Sequence, residues 1–388
     1  MNTVCNIPLS VPSFNGNEMR YVKDCIDKEW VSSAGEYVNL FERKIAEYTG
    51  SKYAIACVNG TAAIHVSLLL AGVNPGDEVI VPTLTFIASV NGIDYCNADP
   101  IFIDADEFYN IDTEKVIEFI KSETVFKNGF TYNKKTDKRI SAFLPVHVWG
   151  NACWFGELVN LCEERNIVIV EDAAESVGTF YNEGNNKGKH TGTIGELGCL
   201  SFNGNKIITA GGGGMILTDD EVLAEKAKYL TTQAKDDPIR FVHDEIGYNF
   251  RLTNIQAALG VAQLEQLPDI LKRKKEIYHL YQKELKNIDG LSISKVPYYA
   301  NNNHWINLLD IDSNLNKDCK EEIMMRMEKN GIQTRPVWRL NHKQKPYKNC
   351  QNYKIENAKR LVSNSLCLPS SANLSDENLY KVLNILSG

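Results

Sequence analysis

The chain predicts an α/β fold: a large domain on a mostly parallel sheet covered by helices, then a smaller C-terminal α+β domain. Three observations predict it. Short apolar runs alternate with helical patterns over residues 53–170. That alternation gives way to one long helical stretch. A loop signal near residue 300 then introduces a second, shorter set of elements. At 388 residues and 43% hydrophobic side chains, the chain is long for one compact core and short for three domains.

Residues 18–30 and 36–49 read as amphipathic helices flanking the loop Ser32-Ser33-Ala34-Gly35. Residues 53–58, 78–81, 100–104, 142–148 and 167–170 read as buried strands, and 61–70, 86–95, 113–121 and 156–165 as the helices between them. Strand and helix repeated this often imply parallel strands with both faces covered. The polar stretch 121–139 reads as a hairpin insertion. Short strands are expected at 199–202 and 214–218 and a helix at 221–233. Residues 254–286 form one helical pattern that Pro268 should kink or divide, placing the domains at 1–268 and 269–388. After Pro297-Tyr298-Tyr299-Ala300-Asn301-Asn302-Asn303 the order becomes strand, helix, strand, helix.

A net charge of -7 argues against a nucleic-acid protein driven by a basic surface. The ten cysteines are scattered singly, without a Cys-x-x-Cys pair or a His cluster at ligand spacing, so no metal site is expected and the thiols read as reduced. Met1-Asn2-Thr3-Val4-Cys5-Asn6 lacks a signal-peptide pattern, and the most apolar run, 62–73, is too short for a bilayer. The expectation is a cytoplasmic protein without membrane partners.

Five segments carry chemistry, and each has an ordinary structural use taken alone. Asn59-Gly60-Thr61-Ala62-Ala63 follows a strand and opens a helix, where free N–H groups and a hydroxyl can cradle a phosphate; a plain capped helix would read the same. Asp172 stands just beyond the carboxyl end of a predicted parallel strand, the edge where such sheets bind ligands, although it also suits a cap. A carboxylate there can keep a pyridine-type nitrogen protonated. Between Ser201 and Gly214, Lys206 is followed closely by four glycines. Its amine can form an imine with an aldehyde, and glycines let backbone approach a bound ring; a solvated lysine beside a flexible loop is the alternative. Phe86 follows a strand and can lie on a planar cofactor or serve as core. Gly247-Tyr248-Asn249-Phe250-Arg251 brings polar donors to the turn before the long helix. Their order, each at a predicted sheet edge, favours one cofactor site over five coincidences.

At these residues the chain resembles the DegT/StrS family of sugar aminotransferases, which depend on pyridoxal 5'-phosphate (PLP). The resemblance runs from Glu29-Trp30-Val31-Ser32-Ser33-Ala34-Gly35 through Pro145-Val146-His147-Val148-Trp149-Gly150 and Glu171-Asp172-Ala173-Ala174-Glu175-Ser176 to Ala257-Ala258-Leu259-Gly260. It implies the fold-type I PLP-dependent transferase architecture. By this resemblance Lys206 matches the Schiff-base lysine, Asp172 the partner of the pyridine nitrogen and Phe86 the stacking aromatic. Gly60, Thr61, Ala62 and Ser201 match the phosphate site. Asn249 matches an asparagine that reaches the phosphate from the neighbouring subunit, which implies a homodimer with shared active sites. Glu175 departs from the Gln or His often found near the cofactor's phenolic oxygen, where a carboxylate would repel a phenolate unless protonated or turned away.

The motif wording is most similar to the branch of legionaminic acid and bacillosamine synthesis, on residues 30–35, 187–193, 232–237 and 334–338. That branch implies transfer of the amino group of L-glutamate to the 4-keto carbon of a nucleotide-linked 6-deoxy-2-acetamido sugar, with UDP ahead of GDP. Trp30, Ser33, His147, Arg251, His304, Arg335 and His342 are the candidates for touching sugar, diphosphate or donor carboxylate, since anions need such donors. Sugar 3-dehydratase relatives carry a histidine where Lys206 stands, and a regulatory member without turnover would not need Ser201, Asp172 and Lys206 together.

Overall fold

The computed structural model describes residues 7–237, 239–312, 314–316 and 318–387; the first six residues, with Cys5 and the expected absence of a signal peptide, lie outside them. The large sheet runs Tyr53–Cys57, Gly214–Thr218, Leu197–Ser201, Val168–Asp172, Arg139–Phe143, Glu78–Pro82, Asp99–Ile103, Asn352–Tyr353. From Leu197–Ser201 to Asn352–Tyr353 every neighbour is parallel. Gly214–Thr218 runs antiparallel to both of its neighbours. Glu78–Pro82, Leu197–Ser201 and Gly214–Thr218 are buried along their whole length, because helices cover both faces; hence their continuous apolar runs.

The expected strand at 142–148 ends earlier, as Arg139–Phe143. Pro145 has no N–H to continue a ladder, and the chain bends into a single 3-10 turn, Val148–Gly150, with Trp149 at φ 58°. The polar insertion forms a hairpin, Thr124–Lys127 with Phe130–Asn133, that joins the start of Arg139–Phe143. Its two-residue turn, Asn128-Gly129, has φ of 54° and 80°, the left-handed pair that matches strand twist.

One helix, Asn254–Leu285, continues through Pro268, so the proline does not divide it and the expected domain boundary falls inside a continuous element. Proline costs a helix interior about 3 kcal/mol. Burial of Val261, Leu267 and Ile270 on either side outweighs that cost. Thr253 and Gln256 close a capping box at its start. Gly260 lets Phe41 approach so closely that a Cβ there would sit 2.6 Å from the ring.

Beyond it, Leu291–Ile293, Asn307–Ile311, Ser365–Leu368 and Arg335–Pro336 make an antiparallel sheet. Ile277, Leu309, Ile323, Leu366 and Val382 share its core. Asp104 ties this part to the large sheet. Its carboxylate accepts from Lys115 Nζ at 2.6 Å and from the N–H groups of Glu356, Asn357 and Ala358 at 3.0, 2.9 and 2.8 Å. Those amides open the helix Asn357–Asn364, whose unpaired donors need an acceptor. The cysteines among the described residues are free, and no described helix is long and apolar enough to cross a membrane.

Candidate active site

A cleft of about 580 Å³ opens at the carboxyl ends of the parallel strands. Gly60, Thr61, Phe86, Asp172, Glu175, Ser201, Lys206 and Arg335 all line it, so it gathers most of the residues singled out in sequence. Asp172 ends its strand there and is 4% exposed. Its Oδ2 accepts from Ser89 Oγ at 2.6 Å and its Oδ1 from Ala174 N–H at 3.0 Å. Two fixed donors set the plane of the carboxylate.

Lys206 follows Leu197–Ser201 in the loop that turns back as Gly214–Thr218. Its Nζ stands 3.5 Å from Glu175 Oε1 and 4.2 Å from the centroid of the Trp305 ring. Glu175 Oε2 accepts from Trp149 N–H at 2.8 Å. Burial pushes the Glu175 carboxyl up to about 7, against the pull of Lys206 and of the Trp149 N–H. The glycines behave otherwise than expected. Gly211 and Gly213, at φ 76° and 107°, turn the chain, and a Cβ on Gly214 would lie 2.5 Å from the Asn59 backbone. Gly213 and Gly214 pack the strand against the helix start, and none of the four glycines lines the cleft.

The helix Gly60–Leu70 points its first turn at the cleft. Asn59 Oδ1 accepts from Ala62 N–H at 2.8 Å, so the Ala62 amide is already used, and Ala62 itself is packed in the core. The Thr61 hydroxyl and the Ser201 hydroxyl have no partner among the described residues. A Cβ on Gly60 would lie 2.9 Å from Ser201 Cβ, so only glycine leaves this corner open. An N-terminal helix turn with two free hydroxyls suits a phosphate. Half-exposed Phe86 (51%) offers a ring beside it, and Asp172 and Lys206 supply the acid and the amine. The residues present fit PLP.

The substrate candidates divide. Arg335 lines the cleft and is exposed, with Nη1 donating to Thr334 O at 3.0 Å. Three histidines do not reach it. His147 is fully buried; its Nδ1 accepts from Cys153 N–H, so the proton sits on Nε2, which donates to Glu171 at 2.8 Å. His304 stacks on Tyr278 at 4.3 Å, and burial holds it down at about 3. His342 pairs with Thr83 Oγ1 at 2.6 Å. Trp30, Ser33, Arg251 and Asn249 also lie outside the cleft of their own chain: Arg251 donates to Ser33 at 3.4 Å, and Trp30 and Asn249 are exposed.

Sequence reasoning missed Ser89 and an indole wall. Trp149 stacks on Trp338 at 3.9 Å and faces Trp305 at 5.8 Å, and all three line the cleft. Ser89 carried one signal, a polar residue three positions after Phe86 in the first turn of the helix Ile87–Tyr95. The tryptophans are far apart in sequence and carried none.

A family model for the DegT/DnrJ/EryC1/StrS aminotransferase family matches residues 12–387. The chain belongs to that family. It is 35% identical over 386 residues to the GDP-perosamine synthase of Caulobacter vibrioides, covering 99% of this chain and 98% of that one. It is 36% identical to the putative pyridoxal phosphate-dependent aminotransferase EpsN of Bacillus subtilis, covering 98% and 95%. Among solved structures, the aminotransferase TlmJ from Streptoalloteichus hindustanus superposes with a TM-score of 0.85 at 26% identity, covering 98% of each chain. As a DegT-family member this chain is a PLP-dependent sugar aminotransferase with the fold-type I architecture. The branch of legionaminic acid and bacillosamine synthesis is not what these relatives are named for.

Proposed function

We propose that this enzyme moves the amino group of L-glutamate to the 4-keto carbon of a nucleotide-linked 6-deoxy sugar for surface glycan synthesis. The observation that carries the reading is one cleft holding the Lys206 amine, the anchored Asp172 carboxylate and the Thr61–Ser201 corner together. When bound, PLP supplies an aldehyde that links to amines and a ring that withdraws electrons from the linked carbon. Lys206 would hold the aldehyde through its amine, and that amine, when free, would move the proton. Asp172, held by Ser89 and Ala174, keeps a proton on the ring nitrogen. Thr61, Ser201 and the helix start would hold the phosphate, and Phe86 would lie against the ring. Arg335 is placed to meet a carboxylate or phosphate entering the cleft.

Two acceptors are supported by different observations. The name of the Caulobacter vibrioides relative supports a GDP-linked sugar. The motif wording at 187–193 and 334–338 supports a UDP-linked 2-acetamido sugar. The active unit is a homodimer in which exposed Asn249 and Trp30, with half-buried Ser33 and Arg251, complete the neighbouring cleft. The test is to mix PLP-loaded protein with glutamate and panels of UDP- and GDP-linked 4-keto sugars, and to resolve products by mass and NMR coupling. Glutamate should bleach the linked-cofactor absorbance, and Lys206→Ala should abolish that change. A protein that binds PLP and leaves glutamate unaltered would overturn the reading.

A further inference from the structure

Lys206 has company beyond what its bond to a cofactor requires. Glu175 Oε1 lies 3.5 Å from its Nζ, with the two side chains 4% and 12% exposed. The Trp305 ring lies 4.2 Å away on another side. Neither neighbour is free to leave. Glu175 Oε2 is held by Trp149 N–H at 2.8 Å, and its carbonyl accepts from Asn303 Nδ2 at 2.8 Å. Trp305 donates its indole N–H to Asn205 O at 2.7 Å, one residue before Lys206. Its own carbonyl accepts from the buried Lys274 Nζ at 3.0 Å. A carboxylate and an aromatic face, both anchored through backbone groups, therefore converge on one nitrogen.

We propose that Glu175 and Trp305 form a seat for the ammonium form of Lys206, stabilising it while it carries the proton between donor and cofactor. The inference rests on Lys206 being the reacting lysine. The freed, neutral amine takes a proton from the carbon that bears the donor nitrogen; a C–H bond breaks and its electron pair stays with the donor and cofactor. An N–H bond forms, and the nitrogen becomes cationic. Returning the proton to the cofactor carbon reverses these changes at the new position, and no further reactant is consumed. Charge appears on nitrogen in the middle of the sequence, which is where fixed opposite charge and a ring quadrupole act most strongly. A glutamine at 175 would supply a dipole instead of a charge. The departure at this position is then a catalytic feature, and the carboxylate serves the lysine nitrogen. The ionisable groups facing Glu175 are Lys206, Asp172 and Cys367, with Arg335 across the cleft. Burial raises the Glu175 carboxyl to about 7, so the seat is complete on the alkaline side of neutrality.

The experiment uses Glu175→Gln, Trp305→Leu and the conservative Glu175→Asp. In cofactor-free protein, the rate of PLP capture is followed by absorbance from mildly acidic to alkaline pH. Loss of the carboxylate should move the midpoint of the rise to lower pH by about 1 to 3 pH units. Trp305→Leu should move it the same way by less, and Glu175→Asp should restore most of the original profile. In loaded protein, Glu175→Gln should slow the glutamate half-reaction by about tenfold or more, with glutamate KM and PLP affinity little changed. An unmoved midpoint in both Glu175→Gln and Trp305→Leu would overturn the proposal. So would a midpoint displaced to higher pH, which would mean that Glu175 sits there as a neutral acid. If Lys206→Ala still captures PLP covalently, the assignment of the reacting lysine fails instead, and that outcome is separate.

Discussion

Ser89→Ala removes a single hydroxyl from the wall of the cleft. Ser89 is 1% exposed and Asp172 4%, so water does not readily replace the lost donor on Oδ2. A hydrogen bond to a buried charged group is worth about 1.5–3 kcal/mol. Asp172 keeps its bond from Ala174 N–H at 3.0 Å, so it remains in place but loses one of two constraints on its orientation. If the loss falls on the proton-transfer step, about 1.4 kcal/mol per factor of ten gives a slowing of roughly 10- to 150-fold. Thr85 Oγ1 lies 3.3 Å from the Ser89 hydroxyl and can move toward the vacated position, which favours the lower end. The assay is stopped-flow single turnover: PLP-loaded protein is mixed with saturating glutamate, and decay of the linked-cofactor band is timed. KM for glutamate should be unchanged, since Ser89 touches Asp172 and not the donor. Removing a buried donor from a carboxylate should also lower unfolding stability by about 1–3 kcal/mol, with the fold retained. A variant that retains its cofactor and reacts within about twofold of the unaltered rate would refute the role given to this contact.

Asp104→Ala strands Lys115 and the first amides of the helix Asn357–Asn364, and should cost about 3–5 kcal/mol in urea unfolding. Burial pushes this carboxyl up, but Lys115 and the Ala358, Glu356 and Asn357 amides outweigh it and hold it below the usual carboxylate range. A depressed native value stabilises above the unfolded value of about 3.9 and is lost as pH falls through the native one. The gap between the proteins should therefore close in acid; equal unfolding midpoints near neutral pH would contradict it. Asn249→Ala should release PLP faster on dialysis while the cofactor-free protein stays folded and its size in solution unchanged. Unchanged retention would remove the partner-subunit role.

Much of the site was legible because its chemistry sits at element ends. Thr61, Phe86, Asp172 and Ser201 each stand where a strand stops or a helix starts, and such positions are visible as breaks in apolar periodicity. Lys206 stood out through its glycines, of which Gly213 and Gly214 pack the strand Gly214–Thr218 against the Asn59–Gly60 backbone. The histidines misled for a physical reason: a buried imidazole with backbone and carboxylate partners, as His147 has, reads in sequence like one held for a ligand. Pro268 does not divide the helix, because the burial of Val261, Leu267 and Ile270 overrides local propensity.

By itself the sequence determined which segments are strands and helices, which faces are apolar, and which polar groups fall at the strand ends. Periodicity carries that information because each residue's burial is written into its own side chain. Only the tertiary structure decided that Leu197–Ser201 lies beside Val168–Asp172 and that Tyr53–Cys57 pairs with Gly214–Thr218. Those neighbours bring Lys206 to Asp172 and the Gly60 corner to Ser201. It also decided that tryptophans 149, 305 and 338 share one wall, and that Glu175 faces Lys206. Strand order and long-range side-chain pairing arise from how the surfaces of separate elements fit together, and no single stretch of chain contains that fit.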